Sequence, residues 1–310
     1  MSYYRPDAPM KPDRPYLMLT AIILLWGTNY IVSRTLSGIA PVRVSGLYYA
    51  LFRYLFGTLT MILVLGAQRK GLSAVSSEIH RYSRPLVLSA LLSAFFVITT
   101  HVSAEFISSG TTSIIINLSP IIVLLFGIVI LGEHLTQRKA AGFVLGLVGG
   151  LIFLWNSIGL SAGVTYGILL ALGGMLSWAG YTITLHYLKG ADPYIVMTVK
   201  HVASTFMILP IIWLVLADGS SLILIWDIWT VMGLLFAGVL ASGLAYLLYF
   251  SAIESLGAPR ASSFLFLVPF VSVAGDFVLG EPPAFVTLAA GLIAVIGVGL
   301  VKMSEANEQK

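Results

Sequence analysis

The chain has 310 residues, of which 58% are hydrophobic and only 10% charged, and its mean hydropathy is +0.96. A soluble domain carries about 25% charged residues to clothe its surface, so this composition excludes an ordinary globular protein and points to an all-α integral membrane protein. The net charge of +4 comes without a soluble basic face, which argues against nucleic-acid binding, and the lack of cysteine removes disulfides and thiolate metal sites.

A bilayer core about 30 Å thick needs about 20 apolar residues per helical crossing. The proline-bearing segment 1–15 precedes the first such stretch and reads as a cytoplasmic tail. Helix 1 is expected over 16–37, too long for a cleaved signal peptide and without a small-residue cleavage site after it. Trp26, Asn29, Tyr30 and Ser33 share one of its faces at helical spacing. Helix 2 spans 44–66. Helix 3 spans 84–106 and carries His101. Helix 4 spans 109–131, with Ser113, Asn117 and Pro120 on one stripe and Pro120 near its middle. Helix 5 spans 137–156, where Gly142, Gly146 and Gly150 recur every four residues and predict close helix packing.

No Asp, Glu, Lys or Arg occurs from Ala140 to Leu188, which accommodates two crossings with a turn at Asn156, Ser157 and Gly159. Helix 6 spans 163–187 and holds Trp178, Tyr181 and Thr182. Helix 7 spans 194–217, and its Lys200 is expected to stretch to the interface. Helix 8 spans 228–254 with Ser242, Tyr246 and Tyr249. Helix 9 spans 259–280, with Pro269 near its middle and Asp276 close to its outer end. Helix 10 spans 284–303 with Gly291, Gly297 and Gly299, and 304–310 reads as a second cytoplasmic tail. The period-two alternation of a membrane β-barrel is absent.

The basic residues orient these ten segments. With the N-terminus inside, the inner segments hold Arg5, Lys11, Arg14, Arg69, Lys70, Arg81, Arg84, Arg138, Lys139, Lys189, Arg260, Lys302 and Lys310. The outer loops hold Arg34 and Arg43, and Arg53 and Lys200 lie within helices. The positive-inside rule then places both termini in the cytoplasm.

The halves repeat each other. Glu105 and Glu254, Ser113 and Ser262, Pro120 and Pro269, and the triplets beginning at Ala140 and Ala289 all pair at an offset of 149. Leu131-Gly132-Glu133 matches Leu279-Gly280-Glu281 at 148, and Trp26 and Trp178 fall in the first helix of each half. Five helices per half is an odd number, so 16–156 and 163–303 would be inverted repeats around a central cavity. That architecture lets a carrier open to either face in turn.

The same residues carry a resemblance. Trp26-Gly27-Thr28-Asn29, Pro41 with Phe52-Arg53, Ser119-Pro120 and Leu131-Gly132-Glu133-His134-Leu135-Thr136 stand in order in the first half. Ser242-Gly243-Leu244-Ala245-Tyr246, Ala261-Ser262, Val268-Pro269 and Leu279-Gly280-Glu281-Pro282 follow in the second. The chain resembles the drug/metabolite transporter superfamily in its ten-helix EamA-type branch. It departs from the pattern in being one residue shorter between Pro269 and Gly280 and in carrying Asp276. The resemblance implies a basket of helices whose members 1, 3, 4, 6, 8 and 9 line a cavity, and the export of small metabolites.

Polar groups facing lipid are costly, so the inward positions are the candidates for a site. Trp26, Asn29, Tyr30, His101, Asn117, Trp178, Tyr181, Tyr246 and Tyr249 are the expected substrate-binding residues. Pro120 and Pro269 are the expected kinks, and Asp276 is a candidate for coupling or for reaching water. Inter-helix hydrogen bonding and aromatic packing use the same residue types and stay open as readings. Glu105, Glu254, Glu133 and Glu281 read as interfacial.

No motif for nucleotide, flavin or metal appears, so no cofactor is expected, and ATP-driven pumping lacks its phosphate loop. The expected function is a secondary carrier of small amphiphilic metabolites, amino acids first, in the plasma membrane of a prokaryote. A lipid-linked sugar or lipid translocator is the alternative within transport. A membrane enzyme would have to draw on His101, Glu105, His186 and His201, which are scattered and lack metal-ligand spacing. The expected partners are a small-molecule substrate and the bilayer. The oligomeric state is open, and a monomer is consistent with the sequence.

Overall fold

The computed structural model describes residues 14–131, 136–157, 161–188, 190–256 and 264–308. Its regular structure among these residues is helical, apart from one isolated bridge between Val44 and Leu224. The first half contains α1 (Arg14–Ser37), α2 (Gly46–Ala67), α3 (Leu72–Arg81), α4 (Ser83–Ser103), α5 (Ser109–Ile116), α6 (Ser119–Leu131) and α7 (Gln137–Ser157). The second contains α8 (Ala162–His186), α9 (Pro193–Ala217), α10 (Ile228–Leu235) and α11 (Ala245–Leu256), with a π-helical stretch Phe236–Leu244 between the last two. A 3₁₀ turn Phe264–Leu267 then leads into α12 (Val268–Val278), and α13 (Phe285–Glu308) follows.

Six of these helical stretches are long and apolar enough to cross a membrane: Arg14–Ser37, Gly46–Ala67, Ser83–Ser103, Ala162–Leu185, Pro193–Ala217 and Ile228–Tyr249. A helix satisfies its own backbone hydrogen bonds, which is why an apolar run of this length adopts it where water is absent. Large apolar side chains such as Leu63, Phe95, Phe206 and Trp213 point outward accordingly. The short α3 was not expected. It buries no residue and is far too short to span.

Two expected helices are broken. Residues 109–131 form α5 and α6 with an interruption at Asn117 and Leu118, and the described part of the ninth segment is a 3₁₀ turn followed by α12. Pro120 and Pro269 therefore lie not mid-helix but at the second position of α6 and of α12. Proline lacks the amide proton that a first turn leaves unused anyway, so it starts a new helical segment more readily than it bends an old one. Asn156 and Ser157, expected in a turn, are the last residues of α7. The tail 1–13, residues 132–135 with Glu133, the turn residue Gly159, the segment 257–263 with Ser262, and Lys310 lie outside the described residues.

The helices pack in matched pairs. The face of α4 lies on α8, as α1 lies on α11 and the π-helical stretch. α4 also touches α9, as the π-helical stretch touches α2, and α1 meets α12 as α8 meets α5 and α6. Across the halves α2 packs on α9, α5 on α12 and α7 on α13. The last pair is joined through glycine. A Cβ built on Gly297 would lie 2.4 Å from the Gly146 nitrogen and 2.6 Å from the Gly142 oxygen, whereas one on Gly299 would meet nothing within 4 Å.

This seam makes a stability prediction. Alanine is the better helix former by about 1 kcal/mol, so Gly299→Ala should leave the detergent unfolding midpoint unchanged or slightly raised. Gly297→Ala should lower it, because backbone overpacking costs about 1–3 kcal/mol and outweighs that gain. Equal midpoints for the two variants would contradict the close approach of α7 and α13.

Candidate functional site

A cavity opens between the halves. Its walls are Trp26, Asn29 and Tyr30 of α1, Arg53 of α2, Phe96 of α4, Ile116 and Asn117 at the end of α5, Trp178 of α8, Tyr246 of α11, and Leu265 and Val268 at the start of α12. Ile116, Asn117, Leu265 and Val268 reach the cavity from the interruptions before α6 and α12. The volume open to water centres is about 40 Å³. That admits about two or three waters, so a metabolite would require the halves to separate.

The aromatic side of the cavity is a connected cluster. The Trp26 ring centre lies 6.1 Å from Trp178, 5.5 Å from Tyr246 and 5.3 Å from Tyr249, in edge-on arrangements favoured by the ring quadrupoles. Trp178 in turn packs on Phe96 at 4.8 Å and on Tyr181 at 5.3 Å. The indole Nε1 of Trp26 donates to the Ala241 oxygen at 2.9 Å. Ala241 lies in the π-helical stretch, whose i to i+5 pairing redirects backbone groups. On the polar side the Tyr49 hydroxyl donates to Asn29 Oδ1 at 3.0 Å, and Asn117 Nδ2 donates to the Ser113 oxygen at 2.8 Å.

Arg53 forms the base. It is buried, and its Nε donates to Ser242 Oγ at 2.8 Å while Nη1 lies 2.7 Å from His101 Nε2. A guanidinium only donates, so Nε2 must hold a lone pair and His101 carries its proton on Nδ1. That proton points to Ser33 Oγ, 2.7 Å away. The relay therefore runs from Arg53 through a neutral imidazole to a hydroxyl, and it ties α2, α4 and α1 together.

Of the nine expected site residues, the structure brings Trp26, Asn29, Tyr30, Asn117, Trp178 and Tyr246 to the cavity wall. His101 stands behind Arg53, Tyr181 behind Trp178 and Tyr249 behind Trp26. Two basic residues were not among them. Arg53 was legible only as part of a family motif. Lys200 was expected to reach the interface, and here the structure corrects the sequence reading: Lys200 is fully buried. Its Nζ lies 4.3 Å from the Tyr246 ring centre, 5.3 Å from Tyr54 and 5.4 Å from Tyr181, and has no hydrogen-bond partner among the described residues. A lysine can stretch outward only if its helix face points to lipid, and α9 turns this face toward α2, α4 and α11. The signal was there to use, since a charged residue inside a span marks function by default.

Asp276 is placed away from the cavity wall. Its carboxylate accepts from Ser108 Oγ at 2.7 Å, Ser109 Oγ at 2.5 Å and the Gly110 nitrogen at 2.9 Å, at the N-terminal end of α5. The positive end of a helix suits that charge. A Cβ on Gly110 would meet Asp276 Oδ2 at 2.4 Å, so only glycine leaves the carboxylate room. At the same end of the helices Arg34 grips Glu281 through Nε and Nη2, at 2.8 and 2.6 Å, and Nη1 donates to the Ala104 oxygen. Glu105, just past α4, accepts from the Gly46 nitrogen. Burial pushes its carboxyl above the usual range and that hydrogen bond opposes the shift. Arg43 pairs with Asp227 at 2.8 Å on this side, and Lys70 pairs with Asp192 at 2.5 Å at the opposite end. The side chains of Glu133, Glu254 and His186 lie outside the described residues. Among the described residues no group of three or more His, Asp or Glu is placed to hold a metal ion.

A family model described as the EamA-like transporter family matches the chain twice, over 14–155 and 165–303. An uncharacterized transporter of Bacillus subtilis, YvbV, is 27% identical over 298 residues, covering 91% of this chain and 89% of the relative. An uncharacterized transporter of Archaeoglobus fulgidus is 25% identical over 295 residues, covering 93% and 98%. A solved crystal structure that is 17% identical covers 96% of this chain and 99% of its own, with a TM-score of 0.63, a likeness of fold.

Proposed function

The chain belongs to the EamA-like transporter family, and from that premise we propose that it is a secondary carrier moving small amphiphilic organic solutes by alternating access, with export as the working direction and amino acids the first candidates. The observation that carries this reading is the cavity between the halves, where indole and phenol faces oppose amides and a guanidinium. Such a lining holds an apolar body on one side and polar ends on the other. A lipid-linked sugar needs a lateral opening to lipid, and the lining offers no observation in its favour.

Ten crossings arranged as two inverted five-helix repeats are part of the proposal. The double family match and the matched helix pairs support it. The broken segments before α6 and α12 support it further, since interrupted helices at related places flank substrate sites in inverted-repeat carriers. The cavity is narrow, and the Arg34–Glu281 and Asp276–α5 contacts fasten one end of the helices. Exchange of the two halves' conformations would release that end while the other, where Lys70 already pairs with Asp192, stays fastened. Asp276 then serves as a latch between α12 and α5 whose carboxylate becomes free to take up a proton when the outer end opens. Both termini lie in the cytoplasm of a prokaryotic cell, on the distribution of basic residues.

The test is counterflow of labelled metabolites in proteoliposomes containing only this protein and no nucleotide. Flux is expected without ATP, and absolute dependence on ATP would sink the carrier reading. Asn29→Ala and Trp178→Ala should each cut flux about tenfold, the scale of one hydrogen bond or one ring contact. Gly299→Ala serves as the control, and normal flux in both cavity variants would remove the site from the cavity.

Orientation is checked separately. A reporter fused to the C-terminus should work only if it is of the kind that functions in the cytoplasm, and activity of a periplasm-dependent reporter would reverse the assignment.

A further inference from the structure

The charges at the cavity do not balance. No described residue lining it is acidic, while Arg53 lies in its wall. One ring away, Lys200 is buried against Tyr246, which is itself a wall residue. The buried carboxylate of the described residues, Asp276, is committed to the start of α5. The cavity meets the other end of that helix, at Ile116 and Asn117, about 10 Å away at 1.5 Å per residue.

Basic groups are expensive to hold inside a membrane protein and normally pair with an acid or a carbonyl. Arg53 does neither. Its two hydrogen bonds go to a serine hydroxyl and a neutral imidazole, neither of which carries charge. Two of its five N–H groups are used, so three are left without a described partner. Lys200 Nζ has no hydrogen-bond partner among the described residues at all, only the π faces of Tyr246, Tyr54 and Tyr181. The π-helical stretch contributes to this arrangement, because Ser242 is the residue that fixes the guanidinium's Nε edge and leaves the rest free.

We propose that the cavity selects organic anions, solutes that join an aromatic or apolar body to a carboxylate, with Arg53 taking the carboxylate and the Lys200 amine, without a hydrogen-bond partner among the described residues, adding a further hydrogen-bond donor to it. The assignment rests on the carrier reading and narrows its substrate class. A planar guanidinium matches a carboxylate through two parallel hydrogen bonds, which a hydroxyl cannot supply. The body of the solute lies between Trp26, Trp178 and Phe96. Tyr246 separates the two basic groups, and turning its ring as the cavity widens brings Lys200 within reach of the second carboxylate oxygen. An amine on the solute finds no acid in the wall, so a zwitterion is accepted less well than an anion of the same body.

The test uses benzoate, benzyl alcohol and benzylamine, which share one ring and differ in charge, with equilibrium binding to the purified protein followed by tryptophan fluorescence. Benzoate should bind at least about tenfold more tightly than the alcohol or the amine, the advantage of a charge-assisted bidentate contact. Arg53→Gln should collapse that preference to about twofold or less, and Arg53→Lys should retain part of it, since a point charge replaces the fork. Lys200→Gln should weaken benzoate and leave benzyl alcohol unchanged. Equal or tighter binding of the alcohol or amine, binding of none of the three, or a preference that survives in Arg53→Gln overturns the proposal. The wild-type comparison stands even if a variant fails to fold. Counterflow of a solute that lacks a carboxylate by the same protein would defeat this assignment while leaving the carrier reading in place.

Discussion

The structure depends on keeping Arg53 inside an apolar body. An unpaired charge there is costly, and the helices around α2 are arranged to meet it. α4 brings the neutral His101, α1 brings Ser33 to hold the imidazole's proton, and the π-helical stretch turns Ser242 onto Nε. Each of these contacts crosses from one helix to another, and the one to Ser242 crosses between halves. The same π-helical stretch exposes the Ala241 oxygen to the Trp26 indole, so the aromatic and basic sides of the cavity are fixed by one local departure from regular helix. Small residues make the approach feasible: a Cβ on Gly57 would come within 3.0 Å of Ser242 Cβ.

In the proposed carrier the scaffold and the moving parts are built from different chemistry. α7 and α13 meet where Gly297 lies against the backbone of Gly142 and Gly146, an approach that leaves no space for a side chain. The ends of the cavity helices are fastened by ion pairs and by a carboxylate on a helix start, contacts that water can replace when they open. A carrier needs this division, because the closed conformation must be favourable yet reversible. The narrow cavity has room for waters and not for a metabolite, so the proposed carrier must widen it to take its solute.

Much of this was legible in the sequence because lipid imposes simple rules. Continuous apolar runs located the helices, and the 149-residue offset exposed the repeat that the family match also divides in two. Trp26, Asn29 and Trp178 were singled out by their inward spacing, and six of the nine expected residues lie at the cavity wall. What escaped depended on rotation about a helix axis or on local pairing. Lys200 has apolar and polar neighbours on both sides in its helix, and only the packing of α9 decides that it faces three tyrosines. Pro120 and Pro269 signalled a disturbance, but whether proline bends a helix or begins one depends on the turn before it. The π-helical stretch has no proline and a composition like that of its neighbours, so nothing in Phe236–Leu244 announces it. Asp276 looked exceptional as a charge in a helix, and its explanation lies in another helix, at Ser108, Ser109 and Gly110.

The central claim is that one cavity between the halves is reached from each side of the membrane in turn. The protein's lack of cysteine makes it a ready background for this question. Ile116→Cys and Leu265→Cys place a thiol in the wall without touching Arg53 or the aromatic cluster. In sealed vesicles of each orientation, a membrane-impermeant thiol reagent should label both positions from either face, and a transported solute should slow labelling from both. Labelling from one face alone under every solute gradient, or from neither, would contradict the account.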